Sequence, residues 1–198
     1  MIANGHSARE ATGTTDEGLV ALALKDDRYF EILVERYEEK LQRYIMRFIN
    51  CRAEDAEDIV QEAFINAYRN LNGFDTRLKF SSWLYRIAHN EAVSHIRRVS
   101  SRPVVTTENE EFEMLASELD MEKDLGKKMN DAKLHQAIAM LGQKYRDVIV
   151  LRYLEEKTYE EISDILRKPL GSVASLITRA KRLLLKHIQE EGRIMSSL

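Results

Sequence analysis

One cysteine, two prolines and one tryptophan are found in 198 residues. The lone Cys51 has no partner for an internal disulfide and no second thiol for a metal site. With so few prolines, long helices are permitted almost anywhere. No apolar run approaches the roughly 18 residues of a membrane span. The first residues, MIANGHSAREATGTTDEG, lack the apolar centre of a signal peptide, so a cytoplasmic protein is expected. No phosphate-cradling glycine loop, metal cluster or nucleophile–base motif occurs, which argues against an enzyme and against any cofactor or metal. A basic surplus is missing too. The formal net charge is -3, whereas a protein that grips DNA alone draws most of its affinity from neutralised phosphates.

What is present is charge sorted by region. Acids gather at Glu54, Asp55, Glu57, Asp58 and Glu62 and again from Glu108 to Asp124. Bases gather at Arg86, Arg97, Arg98 and Arg102, and from Arg167 to Lys186. Segregation with a near-neutral sum fits an adaptor between two partners better than an autonomous DNA binder.

The hydrophobic spacing is helical throughout, and the expected fold is all-α: two small helical domains joined by an acidic linker. Residues 1–15 are small and polar and are expected to be disordered. A first domain over 16–101 opens with Leu19, Val20, Ala23 and Leu24. Phe30, Leu33, Val34, Tyr37, Leu41, Tyr44, Ile45 and Phe48 then recur at three- and four-residue steps. The acidic helix that follows, Asp55 to Leu71, buries Ile59, Val60, Ala63, Phe64, Ala67 and Tyr68. It leaves Asp55, Asp58, Gln61 and Glu62 outward. Carboxylates at a helix start also complement its dipole, which accounts for Asp55 and Asp58 but less well for Gln61 and Glu62.

Asn72-Gly73 ends that helix, and a loop with Phe74 and Lys79 leads into SSWLYRIAHNEAVSHIRR. Phe80, Trp83, Leu84, Ile87, Ala88 and Ile96 suit its buried side. Tyr85, Arg86, His89, Asn90, Arg97 and Arg98 remain for other faces, with His89 and His95 read as surface or DNA-proximal. Rings beside cations suit unpaired bases, which need stacking surfaces and phosphate neutralisation together. Trp83 serves equally well as core.

Residues 102–130 form the acidic linker, and a second domain occupies 131–191 before a tail, 192–198. Thr158 followed by Glu161 is a capping box that starts a helix in TYEEISDIL. Arg167-Lys168 turns the chain, and Pro169 suits the start of the next helix. Val173, Ile177, Ala180 and Leu184 lie on one side of it. Ser172, Ala174, Ser175, Thr178, Arg179 and Arg182 lie on the other. This is the pattern of a helix-turn-helix whose second helix enters a major groove.

DAEDIVQEAFINAYRNLNGF, FSSWLYRIAHNEAVSHIRR, LRYLEEKTYEEISDIL and GSVASLITRAKRLL together resemble bacterial sigma factors of the extracytoplasmic-function group, over about residues 19–101 and 131–189. The resemblance implies an initiation subunit that docks on core RNA polymerase, at the clamp helices of its largest subunit, and acts on promoter DNA. By position, Asp55, Asp58, Gln61 and Glu62 match the docking surface. Phe74 and its loop, with Lys79, Arg86 and Asn90, match the part that grips the −10 strand and captures an unstacked base; Trp83, Arg97 and Arg98 join that set. Pro169 to Arg182 matches the reader of the −35 element. The resemblance also implies an anti-sigma partner, and in that family the linker threads the polymerase's RNA channel. Two departures stand out. Ala174 and Leu176 occupy positions where family members often carry bases, and His89 stands where arginine or an aliphatic residue is common. The competing reading is a stand-alone helix-turn-helix regulator that binds an operator without polymerase.

Overall fold

The computed structural model describes residues 13–99 and 131–195, so the expected linker, most of the expected disordered segment and the last three residues lie outside the described residues. Among the described residues, eight α-helices form two groups. The first comprises α1 (Asp16–Ala23), α2 (Arg28–Ile49), α3 (Ala53–Arg69) and α4 (Phe80–Val99). The second comprises α5 (Asp131–Met140), α6 (Gln143–Ile149), α7 (Tyr159–Leu166) and α8 (Leu170–Met195), with a π-helical turn at Val150–Leu154 after α6. No helix among the described residues is long and apolar enough to cross a membrane.

The order of burial follows the sequence stripes closely. On α2, Phe30, Leu33, Tyr37, Leu41, Tyr44, Ile45 and Phe48 are all buried. On α3, Ala56, Ile59, Val60, Ala63, Phe64 and Ala67 are buried, while Tyr68 is exposed and leans on Phe30 edge-to-face. Each large side chain withdrawn in this way contributes roughly 1.5–3 kcal/mol.

Local polar contacts set the ends. Thr15 caps α1 by accepting from the Gly18 N–H, and the Thr14 carbonyl accepts from Arg36, so the chain is tied down before Asp16. Asp16 in turn receives the Tyr37 hydroxyl and Arg36. Glu17 accepts from the Phe80 N–H at 2.9 Å, so α1 caps the start of α4 with a carboxylate. Asn50, at φ 52°, ends α2 in the left-handed region that Asn tolerates.

In the second group the Thr158–Glu161 capping box is complete in both directions. The turn that follows places Arg167 at φ 51°, a left-handed conformation on a residue without glycine's freedom. Pro169 stands just before α8, and its carbonyl accepts from Ser172 and Val173. Val173, Ile177, Ala180 and Leu184 are buried. α8 continues to Met195, past the expected boundary at 191.

The two groups pack on each other through α2, α4, the π turn and α7. Lys79 pairs with Glu161 at 2.9 Å, and Arg47 pairs with Glu155 at 3.2 Å. Arg146 donates to the carbonyls of Ile138, Ala139 and Leu141 within its own group and to the Phe48 carbonyl at 3.3 Å in the other.

Candidate functional site

Three surfaces carry the residues singled out above. The first is the outward face of α3. Asp58, Gln61 and Glu62 are exposed, whereas Asp55 is half-buried and held by Arg52 at 3.3 Å. That contact holds the Asp55 carboxyl below the usual carboxylate range, so it stays charged. Asp58, Gln61 and Glu62 line one groove with Ile65 on α3 and with Glu91, His95, Arg98 and Val99 on α4. A hydrogen bond of 2.6 Å from Asn66 to Glu91 ties the two walls together. Ile65 is 44% exposed and Val99 70% exposed, an apolar element among carboxylates. Arg98, grouped with the −10 residues from the sequence, sits here instead, across from the acids. Ile65 and Val99 escaped the sequence reading. Ile65 was detectable, because it lies four residues beyond Gln61 on the polar side of the helix.

The second surface is the loop before α4 and the first turns of that helix. Asp75 folds the loop by accepting from the Arg77 side chain at 2.7 Å and from the Arg77 N–H. Those bonds bring its carboxyl down to about 2. Thr76, Arg77, Leu78 and Lys79 are exposed at the tip. Phe74 is not. It is buried, edge-on to Phe80 at 5.6 Å and against Trp83 at 5.1 Å. A ring so engaged is a wall of the core, and the exposed side chain of this loop with apolar surface is Leu78. Trp83 is half-buried in the same cluster, Arg86 is half-buried, and Asn90 and Arg97 are exposed.

Two further residues of α4 differ from expectation. Tyr85 is 2% exposed, with its hydroxyl donated to Glu155 at 2.8 Å and the Lys157 ammonium 4.2 Å above its ring. His89 is not a surface group: its ring stacks on Phe48 at 4.7 Å, and Nδ1 lies 3.0 Å from the Tyr44 hydroxyl. Burial, aided by the positive charge of Lys168, pushes the imidazole down to about 4, so it is neutral at pH 7.

The third surface is the start of α8. Ser172, Ser175, Thr178 and Arg179 are exposed; Ala174 and Arg182 are half-buried. The Thr178 hydroxyl donates back to the Ala174 carbonyl at 3.0 Å. Leu176 is partly buried against the core, which explains why an apolar residue is tolerated at that position. The surface is thus small, polar and carries an exposed cation, a shape that fits a groove and its phosphates.

Against known proteins, the Sigma-70 region 2 model matches residues 33–102, and the Sigma-70 region 4 model matches residues 131–184. The chain belongs to the sigma-70 family, in its extracytoplasmic-function group. It is 36% identical to the RNA polymerase sigma-H factor of Pseudomonas aeruginosa, over 90% of this chain and 96% of that one. It is likewise 36% identical to the ECF RNA polymerase sigma factor SigW of Bacillus subtilis, covering 83% of this chain and 91% of the relative. Its fold is similar to that of CnrH, solved in complex with the cytosolic domain of CnrY. The TM-score there is 0.66 at 24% identity, over 88% of this chain and 97% of the other. This sigma factor therefore directs transcription from specific promoters as a subunit bound to core RNA polymerase and promoter DNA. The stand-alone regulator is not favoured, because both sigma regions match in order on one chain.

Proposed function

We propose that the three surfaces divide the work of initiation between the two helical groups, bounded near 16–101 and 131–191. The groove of Asp58, Gln61, Glu62 and Ile65 receives the clamp helices of the polymerase's largest subunit, with Asp55 at its entrance. Lys79, Arg86 and Asn90, with the Thr76–Leu78 tip, hold the −10 strand; Trp83 backs that face, Phe74 supports it from the core, and Arg97 extends it. Ser172, Ser175, Thr178 and Arg179, flanked by Ala174 and Arg182, read the −35 element. No step of this requires the chain to make or break a covalent bond, so the sigma factor acts as a non-enzymatic subunit, in the cytoplasm where its polymerase works. Since the structural relative was solved with a partner named as bound to it, an anti-sigma protein is a fitting regulator for this chain too.

The observation that carries the docking assignment is the groove itself: unpaired exposed carboxylates beside exposed isoleucine and valine. Carboxylates give a basic partner a fast, oriented approach, and the apolar side chains supply burial on contact. The test is Asp58→Lys with Glu62→Lys. Neither carboxylate makes an ion pair among the described residues, so the fold is kept. Affinity for core polymerase is expected to fall at least about 100-fold, two like-charge contacts at about 1.4 kcal/mol or more each. Unaltered run-off transcription by the double variant rejects the assignment.

A further inference from the structure

We propose that Arg98 is a docking residue, which pairs with a carboxylate on the clamp helices and so fixes the direction in which the seated helix runs. This rests on the reading of the α3 groove as the polymerase-docking surface, and deepens it by naming the charge pattern of the partner. Asn66 is bonded to Glu91, and His95 acts on the charge of Asp55, so α3 and α4 run antiparallel: as one number falls the other rises. The Asn66–Glu91 bond closes one end of the groove. One helical turn from it, down α3 and up α4, Glu62 comes level with His95; two turns from it, Asp58 comes level with Arg98. The α3 wall is therefore acidic along its length. The α4 wall has Glu91 at the closed end and a permanent cation, Arg98, only at the open one.

The opposed charges do not satisfy one another. Among the described residues Arg98 makes no ion pair, and neither do Asp58 and Glu62. The walls stand apart around a cavity of about 430 Å3, with exposed Ile65 and Val99 in its lining. An arginine that served only to steady the hairpin would lie on a carboxylate, as Arg52 lies on Asp55. A basic helix laid against α3 alone is attracted nearly equally in either direction, because Asp58 and Glu62 carry the same charge. Arg98 removes that symmetry. A carboxylate at one end of the seated helix meets Arg98 in one direction; reversed, it meets Glu62 and Glu91. The first arrangement gains a charge-assisted pair and the second a like-charge contact, and such repulsion is how interfaces reject wrong orientations. The occupant is thus a helix with bases along one side and an acid at one end, not a uniformly basic one. Arg97, the next residue along, is exposed but does not line the groove, so neighbouring arginines serve different partners.

The test measures the affinity of the full chain for core polymerase, by competition with a fluorescent natural chain, and separately the binding of preassembled holoenzyme to promoter DNA. Arg98→Gln is expected to weaken core binding about fivefold, and Arg98→Glu at least about 20-fold. The neutral variant keeps the question answerable if the reversed charge disturbs the hairpin. Lys25→Glu makes the same change of net charge at an exposed position outside the groove, and should leave core affinity within about twofold. Each Asp and Glu of the clamp helices is then changed singly to Lys. One such polymerase should bind Arg98→Glu at least about tenfold more tightly than unaltered polymerase does, and the natural chain less tightly. Unchanged core affinity in both Arg98 variants overturns the proposal, and a loss of promoter binding alongside it returns Arg98 to the −10 strand. A loss of core affinity that no altered polymerase repairs overturns it as well. Asp58→Lys with Glu62→Lys separates the proposal from the reading beneath it. If that pair leaves core affinity unmoved, the groove is not the docking surface; if it lowers affinity while the Arg98 variants do not, only the proposal fails.

Discussion

Lowering the pH should destabilise the first helical group through one residue, His89. In the fold its ring lies on Phe48 and its Nδ1 meets the Tyr44 hydroxyl. Burial likewise keeps Tyr44 protonated, so the pair is satisfied when that hydroxyl donates to an unprotonated Nδ1. A second proton on the ring turns acceptor into donor and buries a charge. The imidazole titrates at about 4 in the fold, against an ordinary value of about 6.5. A depressed histidine contributes stability that is complete above the unfolded value and is lost as pH falls from about 6.5 towards 4. Between pH 7 and pH 5 the loss works out at about 2 kcal/mol for this group alone. Glu155 and Asp147 act in the opposite direction, because burial raises both and acid relieves the penalty on each. The comparison is therefore between the natural chain and His89→Gln, which keeps a side-chain acceptor for Tyr44 but does not titrate. Urea unfolding followed by the fluorescence of Trp83, on the same helix, should show the natural chain losing about 2 kcal/mol more than the variant over that interval. Identical pH dependence in the two proteins refutes the placement of His89 as a buried neutral base.

Three other outcomes follow from the geometry. Thr158→Ala removes one side of the capping box and should cost about 1 kcal/mol in chemical denaturation, with loss of helicity confined to the second group. Arg167→Gly relieves the left-handed backbone and the like charge near Arg86, and should raise stability by about 1 kcal/mol in the same measurement. Arg179→Ala removes an exposed cation from the outer face of α8; holoenzyme binding to upstream promoter DNA should weaken about tenfold in footprinting, with a shallower salt dependence.

The stripes on α2, α3 and α8 were legible in the sequence because a helix buried on one side must repeat its apolar residues at three- and four-residue steps. Leu33, Tyr37, Leu41, Tyr44 and Phe48 obey that rule, as do Val173, Ile177, Ala180 and Leu184. The capping box was legible for a similar reason: both bonds lie within four residues of chain. Phe74 was not, since a single aromatic in a loop has no period to say which way it turns, and its direction is decided by Phe80 and Trp83. The π turn at Val150–Leu154 left no pattern either.

The residues of α4 show the deeper reason for the misses. Tyr85 lies three residues before Ala88 and seven before Ala92, both buried, so period places it on the covered side, and it was the polar hydroxyl and imidazole of Tyr85 and His89 that suggested solvent. They are covered because a second surface, 70 residues further along, supplies Glu155 for Tyr85, and because Tyr44 and Phe48 supply a hydroxyl and a ring for His89. Polar side chains can be buried at little cost when each finds a partner, so which polar groups are covered follows from complementarity between distant segments and not from residue type. The same complementarity governs the contact between the two groups. Glu155 is a solvated surface residue if the groups separate and a satisfied buried one when they meet, whereas Leu84, buried within the first group, has no comparable alternative.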